Sequence, residues 1–256
     1  MRLLCIGDVT GESGSRYLLR TLPKFKQEHS VDMVVCNGEN SADGNGITEY
    51  SANALLNSGV DIITTGNHAF RRRESYEFFD SCEQLIRPAN YPKGTTPGRG
   101  YTVYDMLRYR VCVINIMGTM YLDALANPFE CLDRILKEVK GCSVIVVDFH
   151  AEATSEKRAF GYYADGRVSA VVGTHTHVQT SDECILPKGT GYITDLGMTG
   201  PVESVLGVKK EIVISSFTEK LPVRFETADG KCAMGCCLFD IDEKTGQTRS
   251  VQRFNV

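Results

Sequence analysis

The sequence predicts an α/β fold. Short apolar runs of strand length alternate with segments whose apolar residues recur every three to four positions, the pattern of strands alternating with helices. Several of the runs are apolar without a polar break, as central strands covered on both faces are. The later part of the chain is richer in strand-like runs than the earlier part.

Taken in order, Leu3–Ile6 is the first strand and ends in Gly7-Asp8. Leu18, Leu22 and Phe25 follow at helical spacing. Val31–Cys36 is the next strand, ending in Asn37-Gly38-Glu39-Asn40. Ala52, Leu55 and Leu56 mark a helix stopped near Gly59, and Val60–Thr64 is a strand that ends in Gly66-Asn67-His68. The stretch Arg87–Gly100 is rich in proline and glycine and reads as a long surface loop. Val111–Ile116 is a strand, and Phe129, Leu132, Leu136 and Val139 again have helical spacing. Val144–Val147 is a fully apolar strand running into Asp148-Phe149-His150. Ala170–Val172 leads into Gly173-Thr174-His175-Thr176-His177. From Leu221 onward the sequence has strand-like runs and turns such as Asp229-Gly230. With no internal repeat, low-complexity tract or linker, the expectation is a single domain over residues 1–256.

A chain of 256 residues can bury about three quarters of its unfolded surface, so its core needs no staple. Lys and Arg number 28 against 32 Asp and Glu, a formal charge of −4 that argues against a stable nucleic-acid or membrane-surface partner. A small anionic substrate held by metals is compatible with that balance, and so is a homo-oligomer. The first apolar run is too short for a signal peptide, and no run reaches the roughly 20 residues of a membrane span. The expected compartment is the cytoplasm. Ten cysteines in such a chain read as reduced, and Cys5, Cys36 and Cys112 lie inside apolar runs. Cys232, Cys236 and Cys237 form the one tight group, which reads as structural.

Polar residues of one chemical kind recur at one structural place. Asp8, Glu39, Asn40, Asn67, His68, His150, His175 and His177 all follow an apolar strand. In open α/β sheets ligands bind outside the carboxyl ends of strands. Four of the five histidines belong to this set, and only His29 lies outside it. Oxygen donors mixed with imidazoles suit iron, manganese or zinc. Two metals a few ångströms apart can clamp the attacking and leaving oxygens of a phosphoryl displacement and lower the pKa of a water between them. Each residue alone has a bland reading: Gly7-Asp8 as a turn, Asn67-His68 as a hydrogen-bonded turn, His150 as a satisfied core histidine. His175 and His177 are stronger, because alternate residues of an extended segment point the same way. Their recurrence at successive strand ends favours a metal site. Arg71, Arg72 and Arg73 offer a phosphate hold or a solvated helix start, the latter being favoured, and Glu152 and Glu156 either line the pocket or cap a helix, the cap being favoured.

The order of these blocks resembles that of the calcineurin-like metallophosphoesterases, and more narrowly that of the bacterial YmdB-type phosphodiesterases. The blocks Arg87-Pro88-Ala89-Asn90, Asp148 to Lys157, Val172 to Thr180 and Thr194 to Pro201 carry the narrower resemblance, which covers essentially the whole chain. It implies a four-layer α/β/β/α sandwich with a di-iron-type site, manganese being the next candidate. Asp8, Asn40 and His177 would hold one metal, Asn67, His150 and His175 the other, with Glu39 bridging and His68 as catalytic acid. The implied substrates are nucleoside 2′,3′-cyclic phosphates. The chain departs from the wider superfamily at Asp8-Val9-Thr10, where no histidine follows the aspartate, at the bridging Glu39, and at Ala69 after His68. These departures fit the narrower family and count against protein-phosphatase activity. The competing readings are a phosphomonoesterase or protein phosphatase of the same superfamily, and a non-enzymatic metal-binding regulator. A regulator would have no need of His68 beside the ligands.

Overall fold

The computed structural model describes residues 1–43 and 45–256. Its strands form two sheets. The first, of seven strands, holds β1 (Arg2–Ile6), β2 (Asp8–Val9), β3 (Met33–Asn37), β4 (Ile62–Thr64), β11 (Met198–Pro201), β12 (Cys232–Ile241) and β13 (Thr248–Asn255). The second, of six, holds β5 (Tyr101–Asp105), β6 (Arg110–Met117), β7 (Val144–His150), β8 (Ala170–Thr174), β9 (Cys184–Ile185) and β10 (Gly191–Ile193). The helices are α1 (Gly11–His29), α2 (Glu49–Asn57), α3 (Tyr76–Ser81), α4 (Pro128–Glu138), α5 (Thr154–Ala164) and α6 (Lys210–Glu219).

The unbroken apolar strands sort their side chains by parity, as a pleated strand must. In β1, Leu3 and Cys5 face the second sheet, whereas Leu4 and Ile6 face α1 and α2. In β3, Met33 and Val35 face inward between the sheets and Val34 and Cys36 outward. The second sheet repeats the arrangement. Val144 and Val146 of β7 join the inter-sheet core, and Val147 and Phe149 pack beneath Leu132 of α4 and Phe160 of α5. Helix α1 presents Leu18, Leu22 and Phe25 to the first sheet at the spacing read from the sequence. Three apolar interiors between four layers give the α/β/β/α sandwich.

The two sheets share a polarity. Strands β1, β3 and β4 are parallel neighbours, and so are β6, β7 and β8. Parity places Asp148 and His150 on the same inward face as Val144 and Val146.

Two expectations are corrected. The chain from Leu221 to Phe225 carries no strand, and the terminal pairing begins with β12 at Cys232. The stretch Arg87–Gly100 is irregular, but its first part is buried rather than superficial. The Arg87 guanidinium donates to the carbonyls of Pro97, Pro88 and Gly98 at 3.3, 2.9 and 3.2 Å. The Asn90 amide bonds Met117 through both its donor and its acceptor. Buried backbone must find partners, and these two side chains supply them. All ten cysteines are free thiols, and Cys232, Cys236 and Cys237 are buried in β12. No helix among the described residues is long and apolar enough to cross a membrane.

Candidate active site

The eight strand-end residues come together at one rim, where the carboxyl ends of the two sheets meet. The first sheet supplies Asp8, Glu39, Asn40, Asn67 and His68, and the second supplies His150, His175 and His177. Asp8, Glu39, Asn40 and His150 are buried, and the other four are partly open to solvent. Glu39 lies between the two groups. Its Oε1 is 3.3 Å from His150 Nε2, 3.3 Å from Asn40 Nδ2 and 3.4 Å from His68 Nδ1. On one side, His177 Nε2 lies 3.3 Å from Asn40 Nδ2 and 3.7 Å from Asp8 Oδ1. On the other, His150 Nε2 lies 2.9 Å from Asn67 Oδ1 and 3.0 Å from His175 Nδ1. Glu39, His150 and His175 offer ligand atoms mutually within 4.8 Å, a cluster able to hold a metal ion.

The imidazoles are oriented from behind. His177 Nδ1 donates to the Leu206 carbonyl at 3.1 Å, which leaves Nε2 for the site. His175 Nε2 faces the Glu152 carboxylate at 3.1 Å, which leaves Nδ1 for the site. Thr174 Oγ1 stands 2.7 Å from Asp148 Oδ1 and 2.9 Å from His150 Nδ1. An ionised Asp148 only accepts, so the hydroxyl hydrogen points to it and Nδ1 must carry the proton the hydroxyl accepts. The inner nitrogen of each ring is thereby the one free to take up a proton or a cation. Anchoring the outer nitrogen to a carboxylate, carbonyl or hydroxyl is how proteins fix metal-binding histidines.

The charges are strongly coupled. Burial pushes Asp8 up, and with His177 and His150 opposing and Glu39 adding it sits at about 6. Burial would also raise Glu39, but His150 and His68 hold it well below the usual carboxylate range. His150 is lowered by burial yet pushed up to about 9 by Glu39, Asp8 and Asp148. Burial, and then the charge of His150, drive His175 down to about 3. Two buried carboxylates, Asp8 and Glu39, thus stand here against one protonated imidazole, His150, and their negative charge favours a cation among them. Asp8 Oδ2 accepts from the His175 backbone N–H at 3.1 Å, but its fully buried Oδ1 has no hydrogen-bond partner. An unpaired buried carboxylate oxygen is costly. One lying beside an imidazole nitrogen fits a bound cation.

The route by which His175 and His177 reach the rim differs from the expectation of an extended segment. Both residues have positive φ, 102° and 62°. Such a backbone in a non-glycine residue costs about 1–3 kcal/mol and persists only where the surroundings impose it. A further close approach occurs at Gly66, where a Cβ would stand 2.2 Å from His150 Nε2. The loop carrying Asn67 and His68 thus crosses the face of the His150 ring, which only glycine permits.

The expected cap at Glu152 and Glu156 is corrected. The α5 N-terminus has no side-chain cap. Glu156 turns away to accept from Thr119 N at 2.9 Å and Met120 N at 3.3 Å, and Glu152 faces His175. Arg72 ties down the preceding loop through the Asn45 carbonyl at 3.0 Å and the Asp43 carbonyl, while Arg71 and Arg73 are exposed. Sequence reasoning missed Thr174 and Asp148 as supports, and for Glu152 it favoured the cap over the pocket position that the structure shows. Their one signal was position, inside the same strand-end blocks as the histidines they orient.

A family model described as YmdB-like protein matches residues 4–254. The 2′,3′-cyclic-nucleotide 2′-phosphodiesterase of Bacillus subtilis (strain 168) is 47% identical over 254 residues, covering 99% of this chain and 96% of the relative. The crystal structure of a hypothetical protein from Thermus thermophilus superposes with a TM-score of 0.94 at 40% identity, covering 100% of this chain and 99% of that one. That of a novel phosphatase from Mycoplasma pneumoniae superposes with a TM-score of 0.95 at 31% identity, covering 100% and 93%. The chain belongs to the YmdB-like family and is an enzyme, a phosphoesterase.

Proposed function

We propose that this enzyme hydrolyses nucleoside 2′,3′-cyclic phosphates, opening the P–O2′ bond to leave the 3′-phosphate, at a site that holds two metal ions. The carrying observation is the convergence of three inward imidazole nitrogens and an unpaired Asp8 oxygen around the buried Glu39. Asp8, Asn40 and His177 would hold one ion and Asn67, His150 and His175 the other, with Glu39 shared. The position of Glu39 between the groups supports that division. Asn40 turns its Nδ2 toward His177 and its Oδ1 toward His68, so ligation there requires the amide oxygen to face inward. Imidazole, carboxylate and amide donors without a thiolate suit iron, with manganese next. When bound, the ions supply the charge that neutralises the phosphodiester and makes water acidic enough to attack phosphorus.

The chain's own residues do the rest. Thr174, Glu152 and the Leu206 carbonyl hold the rings in place. His68, with its Nδ1 on Asn40 Oδ1 at 2.8 Å and its side chain 24% exposed, keeps Nε2 available to protonate the departing ribose oxygen. Ten free thiols fit a reducing, cytoplasmic compartment. The substrate in this reading is a small phosphodiester. The resemblance to a Mycoplasma pneumoniae phosphatase favours a second reading, in which phosphomonoesters are the better substrates. Turnover of a 2′,3′-cyclic nucleotide and of the matching monoester by metal-loaded protein separates the two. Faster monoester turnover at equal loading would overturn the first reading.

A further inference from the structure

Lys157 and Asp195 form an ion pair at 2.6 Å with side chains only 2% and 1% exposed. The reaction as described uses neither residue. A buried pair of this kind is a poor device for stability, because desolvation offsets the attraction and a well-packed apolar pair often serves as well. What distinguishes this pair is what it holds. The Lys157 ammonium donates to the Thr174 carbonyl at 2.8 Å, on the residue before His175. Asp195 Oδ2 accepts from the Thr176 backbone N–H at 3.1 Å and from its hydroxyl at 2.8 Å, on the residue between His175 and His177. Asp195 Oδ1 accepts from the Gly197 N–H at 2.8 Å, which ties the clamp to the loop before β11. Gly173 completes the fit, since a Cβ there would stand 1.7 Å from the Thr194 carbonyl.

We propose that the Lys157–Asp195 pair is a positioning device that imposes the left-handed backbone of His175 and anchors Thr176 ahead of His177, and so aims two of the site's imidazoles. This rests on the reading of the rim as a metal site. The peptides on both sides of His175 are gripped by opposite members of one ion pair, so neither can rotate without breaking a charge-assisted bond. Asp8 Oδ2 adds a third hold, on the His175 N–H, but Lys157 and Asp195 are the members of the grip that lie outside the proposed ligand sets. Both residues lie in sequence blocks that carried the family resemblance without any assigned role.

The test compares Mn²⁺ affinity, measured by calorimetry, with the thermal midpoint of the same samples. Thr176→Val removes one bond to Asp195 without altering charge or shape, and Thr176→Ser restores it. The double variant Lys157→Met/Asp195→Leu removes the grip while leaving no unpaired charge. Loss of supporting partners behind metal ligands typically weakens binding about 10- to 100-fold. We expect a loss in that range for the double variant and roughly threefold to tenfold for Thr176→Val, with Thr176→Ser near the parent; the midpoint should change little in Thr176→Val and fall in the double variant, whose Thr174 carbonyl and Thr176 and Gly197 N–H groups lose partners. If the double variant does not fold, Thr176→Val decides. Parental Mn²⁺ affinity in a folded double variant, or in Thr176→Val, would overturn the proposal. Absence of Mn²⁺ binding by the parent itself would instead overturn the metal-site reading.

Discussion

His68→Ala tests the assignment on which the chemistry turns. The structure gives His68 two possible jobs. Its Nδ1 holds the Asn40 amide at 2.8 Å, and its Nε2 is free for a proton transfer. The two jobs differ in size. A hydrogen bond of that kind contributes about 0.5–1.5 kcal/mol, which converts to a loss of roughly twofold to tenfold. A general acid is worth about 10² to 10⁴ in rate. The two also differ in substrate dependence. A ribose alkoxide is a poor leaving group and needs the proton, whereas a nitrophenolate leaves as a stable anion. The variant should retain its metal and turn over a 2′,3′-cyclic nucleotide at least about a hundredfold more slowly. On a bis-nitrophenyl phosphodiester the loss should be much smaller. The assay is kcat for parent and variant on both substrates, with metal content measured in the same samples. An equal loss on both substrates, or a loss of metal, would remove His68 from the acid role and leave it as the holder of Asn40.

Two further substitutions probe the centre. Glu39→Gln keeps the shape of the side chain that lies between the two groups and removes its charge, so metal content should fall from near two towards zero without a stable state at one. A variant that holds one tight ion would show that Glu39 belongs to a single site. Thr174→Val leaves Asp148 Oδ1 and His150 Nδ1 without their shared partner. Each orphaned group costs about 1–3 kcal/mol, and metal affinity should drop about 10- to 100-fold as the His150 ring loses its fixed tautomer. Thr174→Ser should restore both, and a variant that loses stability yet binds Mn²⁺ as the parent does would confine Thr174 to a packing role.

The fold class and the rim were readable because both follow from local pattern. An apolar run of strand length that ends in Gly-Asp, Gly-Glu-Asn or Gly-Asn-His declares both a buried strand and the polar residue at its carboxyl end. Partnership across the sheets was not readable. Thr174 and Asp148 meet over 26 residues of sequence, Lys157 and Asp195 over 38, and no spacing rule encodes such a contact. The backbone of His175 and His177 departs from expectation for a related reason. Alternation of residues suggests an extended segment, but the grip of Asp8, Asp195 and Lys157 on the intervening peptides imposes a different conformation. A glutamate near a helix start resembles a cap, as Glu156 does, until the loop it bonds, Thr119–Met120, is brought beside it by β6. The stretch Leu221–Phe225 has a strand's composition, but β1, β11 and β13 already occupy both edges of β12, the next strand in sequence.

The seam itself predicts how metal and fold are coupled. Each proposed ligand set includes donors from both sheets: Asp8 and Asn40 with His177, and Asn67 with His150 and His175. The sheets also meet near the rim through buried polar contacts, among them Asn37 Nδ2 to Asp148 Oδ2 at 3.3 Å, the Thr64 hydroxyl to Asp148 Oδ2, and the Thr65 N–H to Asn115 Oδ1 at 3.0 Å. A cation held there cross-links the two layers in the folded state and finds no such set in the unfolded chain. Linkage then requires stabilisation by RT ln(1 + [M]/Kd), about 2.7 kcal/mol at 100 times Kd. For 256 residues, unfolding entropy of about 2 cal/mol/K per residue makes this a rise in Tm of about 5 °C. The rise should be measurable by calorimetric melting of chelator-treated protein with and without added Mn²⁺. His177→Ala and Asn67→Ala should each shorten it, although they lie on opposite groups and opposite sheets, because either loss weakens the tie between layers. A full rise in either variant would show that the ions do not span the seam, and no rise in the parent would overturn the metal-site reading itself.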